Sequence, residues 1–218
     1  MPSHHLGTPQ HPPIPSTRDR YERIARFYDL LDLPFEHRRY SRIRPLLFQG
    51  LAGRILDAGV GTGRNMAYYP AEATIVGVDQ SPAMLARAEK RRTALQATVD
   101  LREMDVTRLE FPDHSFDAAV ATFLFCVLPD ELQVPALREL GRVVKPGGSI
   151  RLLEYVRPKG RIRRTVARMW EPWMAWAYGA GFDRRTEERV PEAGLQVADS
   201  RFVVDDLVKL ISVKALQV

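Results

Sequence analysis

A single cysteine, Cys126, stands among 218 residues, which excludes an intramolecular disulfide and any cysteine-cluster metal centre. No apolar run approaches the ~20 residues that a membrane-spanning helix needs. The N-terminus carries no signal-peptide pattern, so the expectation is a cytoplasmic protein. No internal repeat and no base-reading module is present, and a nucleic-acid partner is not expected. Hydrophobic residues at 45% and charged residues at 27% exclude wholesale disorder and allow one full core.

Positive charge is concentrated in one place. Arg157, Lys159, Arg161, Arg163, Arg164 and Arg168 carry +6 with no acid among them, while the net charge of the whole chain is +5. The remainder therefore sums to −1. Such a local basic surface suits anions, and an anionic membrane surface is the expected partner, with the protein peripheral at its inner face. The following residues sharpen this expectation. Ile162, Val166, Met169, Trp173 and Trp176 form a stripe at helical spacing flanked by Trp170 and Tyr178, a pattern that suits a lipid interface or a lipid-shaped acceptor. The alternative is a core-packing helix whose solvated face is basic.

Along the chain, residues 1–17 hold five prolines without a regular apolar period and read as a disordered tail. His4, His5 and His11 fall in that tail and are read as solvated, and no metal site is expected. Residues 18–49 read as an N-terminal helical lid. Tyr21, Ile24, Ala25, Tyr28 and Leu31 share one face, and Pro34 and Pro45 divide the region into two short helices. Residues 50–218 then alternate strand and helix. Strands are expected at 54–58, 74–78, 100–103, 117–122 and 150–155, and two more at 195–203 and 207–213. A helix over 82–92 has Ser81 as its N-cap, a second covers 132–143, and Lys145-Pro146-Gly147-Gly148 reads as a turn. The predicted fold is α/β: a Rossmann-like, doubly wound, mostly parallel seven-stranded sheet with an antiparallel edge strand pair.

The chemistry concentrates after the first strand. Asp57-Ala58-Gly59-Val60-Gly61-Thr62-Gly63 leaves that strand and opens a helix, and its alternate glycines let backbone approach a ligand closely. Asp79 ends the next strand twenty residues after Gly59, where a carboxylate can accept both hydroxyls of a ribose. The G-x-G-x-G spacing lacks the third glycine of G-x-G-x-x-G, since Arg64 stands there, which disfavours a nicotinamide cofactor.

With these pieces, residues 50–156 resemble the class I S-adenosylmethionine-dependent methyltransferases. The resemblance is carried by D-A-G-V-G-T-G at 57–63, G-V-D-Q-S-P-A-M-L at 77–85, M-D at 104–105, F-D-A-A-V-A at 116–121 and L-G-R-V-V-K-P-G-G at 140–148. It implies S-adenosylmethionine as cofactor. Asp57 would hold the methionine ammonium, directly or through water, and Gly59, Gly61 and Gly63 would pass beneath the methionine and ribose. Asp79, with Gln80, would take the ribose. Asp105 and the backbone of Val106 would take the adenine amino group, with Met84 or Met104 on the adenine faces, and Thr122 is counted among the cofactor-binding residues.

The acceptor side is expected beyond the fourth and fifth strands, at Thr122, Phe123, Phe125, Cys126, Glu154, Tyr155 and Arg157. Glu154 is the ionisable residue of an apolar strand; it either orients an amine and takes its proton or forms a structural salt bridge with a helix arginine. Tyr155 and, from the lid, Tyr28 and Asp29 are the other candidates for the reaction. Cys126 reads as small apolar filler and His114 as solvated.

An N-P-P-Y-type signature is absent after the fourth strand, which argues against a nucleobase or glutamine acceptor. A-R-F-Y-D-L-L at 25–31 and F-C-V-L-P at 125–129 are similar to bacterial phosphatidylethanolamine N-methyltransferases and quinone-pathway C-methyltransferases. L-L-E-Y-V at 152–156 and the W-E-P-W region at 170–173 resemble thiol S-methyltransferase-like proteins. The first group often has Asn-His where Glu154-Tyr155 stands here. The expected acceptor is small or lipid-like, with a lipid-associated amine first, a small thiol or a quinone precursor next, and a non-catalytic cofactor-binding module as the reading from another class.

Overall fold

Strands that are apolar at nearly every position need cover on both faces. β1 (Arg54–Ala58), β2 (Thr74–Asp79) and β4 (Phe116–Thr122) are of this kind. In the computed structural model, which describes residues 40–158 and 185–215 with Gly160, Arg164, Thr165 and Met169 between them, they lie at the centre of a seven-stranded sheet. β3 (Val99–Glu103) forms one edge, and β5 (Val144–Tyr155), β7 (Val208–Ala215) and β6 (Leu195–Val204) complete the order β3-β2-β1-β4-β5-β7-β6. The first five strands are parallel, while β7 runs antiparallel to both β5 and β6. This is the predicted Rossmann-like sheet with its antiparallel edge.

Alternate residues of the strands supply the two cores. Leu56, Ala119 and Ile150 face α3 (Asp130–Val143), which lays Leu137, Leu140 and Val143 on them. Ile55, Ala118 and Leu153 face the other way, towards α1 (Ser41–Phe48) with its Ile43, Leu47 and Phe48, and Ala88 of α2 (Pro82–Leu95). Ser81 caps α2 through a bond from the Met84 N–H at 3.4 Å, as the sequence implies. A short α4 (Thr186–Arg189) precedes β6.

Several local expectations are revised. Pro45 lies inside α1 rather than between two helices. It forfeits one backbone bond at the fifth position of an eight-residue helix, offset by the burial of Ile43, Leu47 and Phe48. The glycine loop opens a 3-10 helix, Arg64–Tyr68, and not an α-helix, because Pro70 follows at once. The Lys145–Gly148 turn is a bulge within β5: pairing with β4 jumps from Phe116↔Val144 to Ala118↔Ser149. The expected tail and most of the lid, with Tyr21, Tyr28 and Asp29, lie outside the described residues. So does the segment 161–178 apart from Arg164, Thr165 and Met169, and Met169 is 76% exposed.

Phe116 is fully buried, meets Phe111 edge-on at 5.0 Å and carries the Arg54 guanidinium over its ring at 4.5 Å. Phe116→Ala should cost about 3–5 kcal/mol, read as a lower midpoint in urea unfolding.

Candidate active site

The ends of β1, β2 and β4 meet where chain order reverses across the sheet, the position at which such sheets bind ligands. The loop leaving β1 hangs from β2: the N–H groups of Gly59 and Val60 both donate to the Val78 carbonyl at 2.9 Å. Gly61 has φ +54, and its N–H donates to Asp79 Oδ2 at 2.9 Å. Gly59 has φ +71, and a Cβ there would come within 2.8 Å of the Leu124 side chain. Both positions therefore require glycine, the first for its backbone conformation and the second for the closeness of the β4 loop as well. The other oxygen of Asp79 accepts from Ser81 N–H at 2.9 Å. Burial raises the Asp79 carboxyl above its usual range, against the pull of these two backbone bonds.

Between these turns lies a cavity of about 310 Å³, within the ordinary size range of small-molecule sites. Of the residues predicted to hold a cofactor, Gly59, Gly61, Asp79, Gln80 and Met84 line it from the β1 and β2 side. Asp105, Val106 and Thr122 line it from the other loops, together with Met104. Asp105 is exposed, and its Oδ1 accepts from both the N–H and the hydroxyl of Thr107 at 2.8 Å. Gly63 is not in the wall; it caps the 3-10 helix in the left-handed conformation.

Asp57 stands outside the cavity, with 0% exposure. Asn65 Nδ2 lies 3.1 and 3.0 Å from its two oxygens, and the Tyr69 hydroxyl donates to Oδ2 at 2.6 Å. Burial nevertheless pushes its carboxyl up to about 6 from an ordinary 3.8, against the bonds from Tyr69 and Asn65 and the nearby charge of Arg44. Arg44, itself 5% exposed, donates to Asn65 Oδ1 at 2.7 Å. Asn65 Nδ2 also reaches Thr122 Oγ1 at 3.0 Å, which links this buried network to the cavity wall.

On the acceptor side, Glu154 and Tyr155 diverge. The Glu154 carboxylate is 1% exposed, does not line the cavity, and accepts from three backbone N–H groups, those of Leu124, Phe125 and Cys126. Its compensation comes from peptide groups, not from the helix arginine considered as its partner. Burial pushes it up to about 7 against those bonds. The Tyr155 ring stacks on Phe123 at 4.7 Å, and its hydroxyl bonds the hydroxyl of Tyr40. Phe123 lines the cavity and adopts φ +54, a conformation uncommon for a residue with a side chain. Cys126 is buried as filler, its thiol directed at the Phe123 carbonyl. His114 is exposed, though its Nδ1 lies 3.2 Å from the Val144 carbonyl. Among the described residues, no cluster of metal-ligating side chains occurs.

Tyr40, Arg44, Asn65 and Tyr69 were not singled out in the sequence. Asn65 and Tyr69 follow the glycine loop directly, and that adjacency to a buried aspartate was the available signal. Tyr40 and Arg44 have none, since their partners stand 115 and 21 residues away.

The model of a methyltransferase domain family matches residues 55–148. The chain is 34% identical over 142 residues to a phosphatidylethanolamine N-methyltransferase of Cereibacter sphaeroides, covering 62% of this chain and 68% of the relative. It is 37% identical over 156 residues to a ubiquinone/menaquinone biosynthesis C-methyltransferase of Syntrophotalea carbinolica, covering 67% and 64% respectively. The match thus spans about two thirds of these relatives' length. Among solved structures, the cyclase SpnF superposes with a TM-score of 0.73 at 19% identity, over 94% of this chain and 98% of that one, which is a likeness of fold.

The raised carboxyl of Asp57 has a consequence for stability. A group whose folded value lies above its unfolded one favours the fold most at low pH, and that contribution is lost as pH rises through the folded value. Wild-type stability should therefore fall relative to Asp57→Asn as pH climbs from 3.8 through about 6. The expected change is about 3 kcal/mol, measured by urea unfolding at a series of pH values.

Proposed function

The chain belongs to the class I S-adenosylmethionine-dependent methyltransferases, and from that premise we propose that it methylates a lipid-associated amine, as in phosphatidylethanolamine-type N-methylation. The observation that carries this reading is the lining of the cavity. Among its described lining residues Asp79 and Asp105 are acidic and none is basic. A wall of that charge suits a cationic sulfonium, and the apolar remainder at Phe123, Leu124, Val127, Leu128 and Leu132 suits a lipid-like acceptor.

S-adenosylmethionine supplies a methyl group on a sulfonium, which passes to the acceptor by in-line displacement as the bond to sulfur breaks. The protein's task is therefore to bind, orient and keep the site dry. We assign Asp79 and Gln80 to the ribose, and Asp105 with the backbone of Val106 to the adenine amino group. Met84 and Met104 take the adenine faces, and Gly59 and Gly61 lie under the methionine. Asp57 acts on the methionine end from beneath, through Asn65 and Thr122. The Tyr155 hydroxyl, steadied by Tyr40, orients the acceptor, with Tyr28 of the lid as its expected companion.

Support for a lipid acceptor comes from apolar surface near the cavity and beyond it. Leu132, in the cavity wall, is 36% exposed, and Met169 of the Arg/Trp segment is open to solvent. No helix among the described residues is long and apolar enough to cross a membrane. Docking at an anionic surface would instead rest on the basic run. The name of the Cereibacter relative agrees with this acceptor class. A second reading, C-methylation of a quinone precursor, is favoured by the flat Phe123–Tyr155 stack and by the name of the Syntrophotalea relative.

Incubation with labelled S-adenosylmethionine and vesicles of anionic lipid plus aminophospholipid should place label in the aminophospholipid. Label appearing instead in an added quinone precursor or small thiol would replace this acceptor. Asp79→Ala should weaken S-adenosylmethionine binding ten- to a hundredfold, or about 1.5–3 kcal/mol, in calorimetry. Unchanged binding would remove Asp79 from the ribose.

A further inference from the structure

A carboxylate taken out of water usually needs an arginine or lysine beside it. Glu154 has three consecutive peptide N–H groups instead, from Leu124, Phe125 and Cys126 at 3.1, 3.0 and 3.0 Å, with the Cys126 thiol beside them. All three belong to the loop that leaves β4. That loop starts on Phe123, whose left-handed backbone turns the chain while its N–H still donates to the Leu153 carbonyl at 2.8 Å. The Cys126 thiol, donating to the Phe123 carbonyl at 3.2 Å, closes the same turn from inside. The loop is thus folded around a buried carboxyl group, and its outer side chains face the cavity. Phe123 and Leu124 line it, and Leu124 is the group that a Cβ on Gly59 would strike.

We propose that Glu154 is a positioning residue for the cofactor. By gathering three amides it fixes Phe123 and Leu124 as one wall of the cavity, so affinity for S-adenosylmethionine depends on a carboxylate that does not enter the cavity. This rests on the assignment of the cavity to that cofactor. The chemistry is specific to two acceptor oxygens. A glutamine has the shape but turns an N–H₂ group towards one of the three donors, and donor then faces donor. An aspartate keeps the charge but falls a methylene short of the loop.

Cys126, the single cysteine, supplies a reporter inside the clamp, since it is buried and its N–H is one of the three. In the full chain, Glu154→Gln should speed labelling of Cys126 by an aromatic disulfide reagent about tenfold or more, each rate being taken at its high-pH plateau because the thiol bonds the carboxyl and ionises differently without it. It should also weaken S-adenosylmethionine binding about tenfold in calorimetry, the scale of one charge-assisted bond. Saturating S-adenosylmethionine should slow the labelling again, and Glu154→Asp should fall between the two in both measurements. A melting curve identifies a variant that has not folded, in which case Glu154→Asp carries the test.

Faster labelling with cofactor affinity held within about twofold would make Glu154 structural only and overturn the proposal. Unchanged labelling would overturn the clamp itself. Asp79→Ala in the same titration separates the two ideas. If it weakens binding and the Glu154 variants do not, positioning fails alone. If it leaves binding unchanged, the cavity assignment fails.

Discussion

At the end of β2, three loops that chain order keeps apart are tied to one residue. The Asp79 carboxylate accepts from Gly61 N–H in the loop after β1 and from Ser81 N–H at the head of α2. Its backbone carbonyl accepts from Met104 N–H, in the loop after β3, at 3.1 Å. Each bond is to backbone, so the tie fixes where chain runs and not only where a side chain rests. The cavity exists because these three turns are held at a common point. Burying a carboxylate there carries an electrostatic cost, visible in its raised acidity range, and the backbone donors offset part of it.

Two further buried carboxylates bracket the end of β4. Asp57 lies on β1 to one side and Glu154 on β5 to the other. Neither is neutralised by a directly bonded base. Asp57 is satisfied by an amide and a phenol, Glu154 by peptide groups and a thiol. The difference matters for what each holds. Side-chain partners let Asp57 order the 3-10 helix and, through Asn65, Thr122. Peptide partners let Glu154 shape the loop that follows Thr122. That side of the cavity wall is therefore organised from below on both flanks by buried carboxyl groups, while its surface is aromatic and aliphatic.

What was legible in the sequence was what depends on near neighbours. The glycine loop and Asp79 sit at strand ends, and strand ends follow from apolar runs and their breakers, so residue number placed them at the cavity, while Asp105 came from the family resemblance. The same local logic misled where tertiary contact decided the outcome. Pro45 reads as a helix boundary until Leu47 and Phe48 are seen buried beyond it, and Lys145–Gly148 reads as a turn until Ser149 resumes the ladder with Ala118. Glu154 shows the limit most clearly. From sequence it is the charged residue near the end of an otherwise apolar strand, which suits a reacting group or an ion pair. Its partners are backbone donors 28 to 30 residues away, and no residue type announces a free N–H. The Tyr40–Tyr155 contact was hidden for a related reason, since aromatic residues are common and pairing between distant ones leaves no periodic trace.

The order in which the sheet is laid down carries one more implication. β7 comes last along the chain among the strands, yet it sits between β5 and β6, bonded to both. During synthesis the emerging polypeptide therefore holds β5, with its apolar Ile150, Leu152 and Leu153, as an unpaired border until the final strand is released. Such a border is the kind that recruits strands from other chains. Forms that lack β7 share this vulnerability, since β7 is the strand that covers the β5 edge.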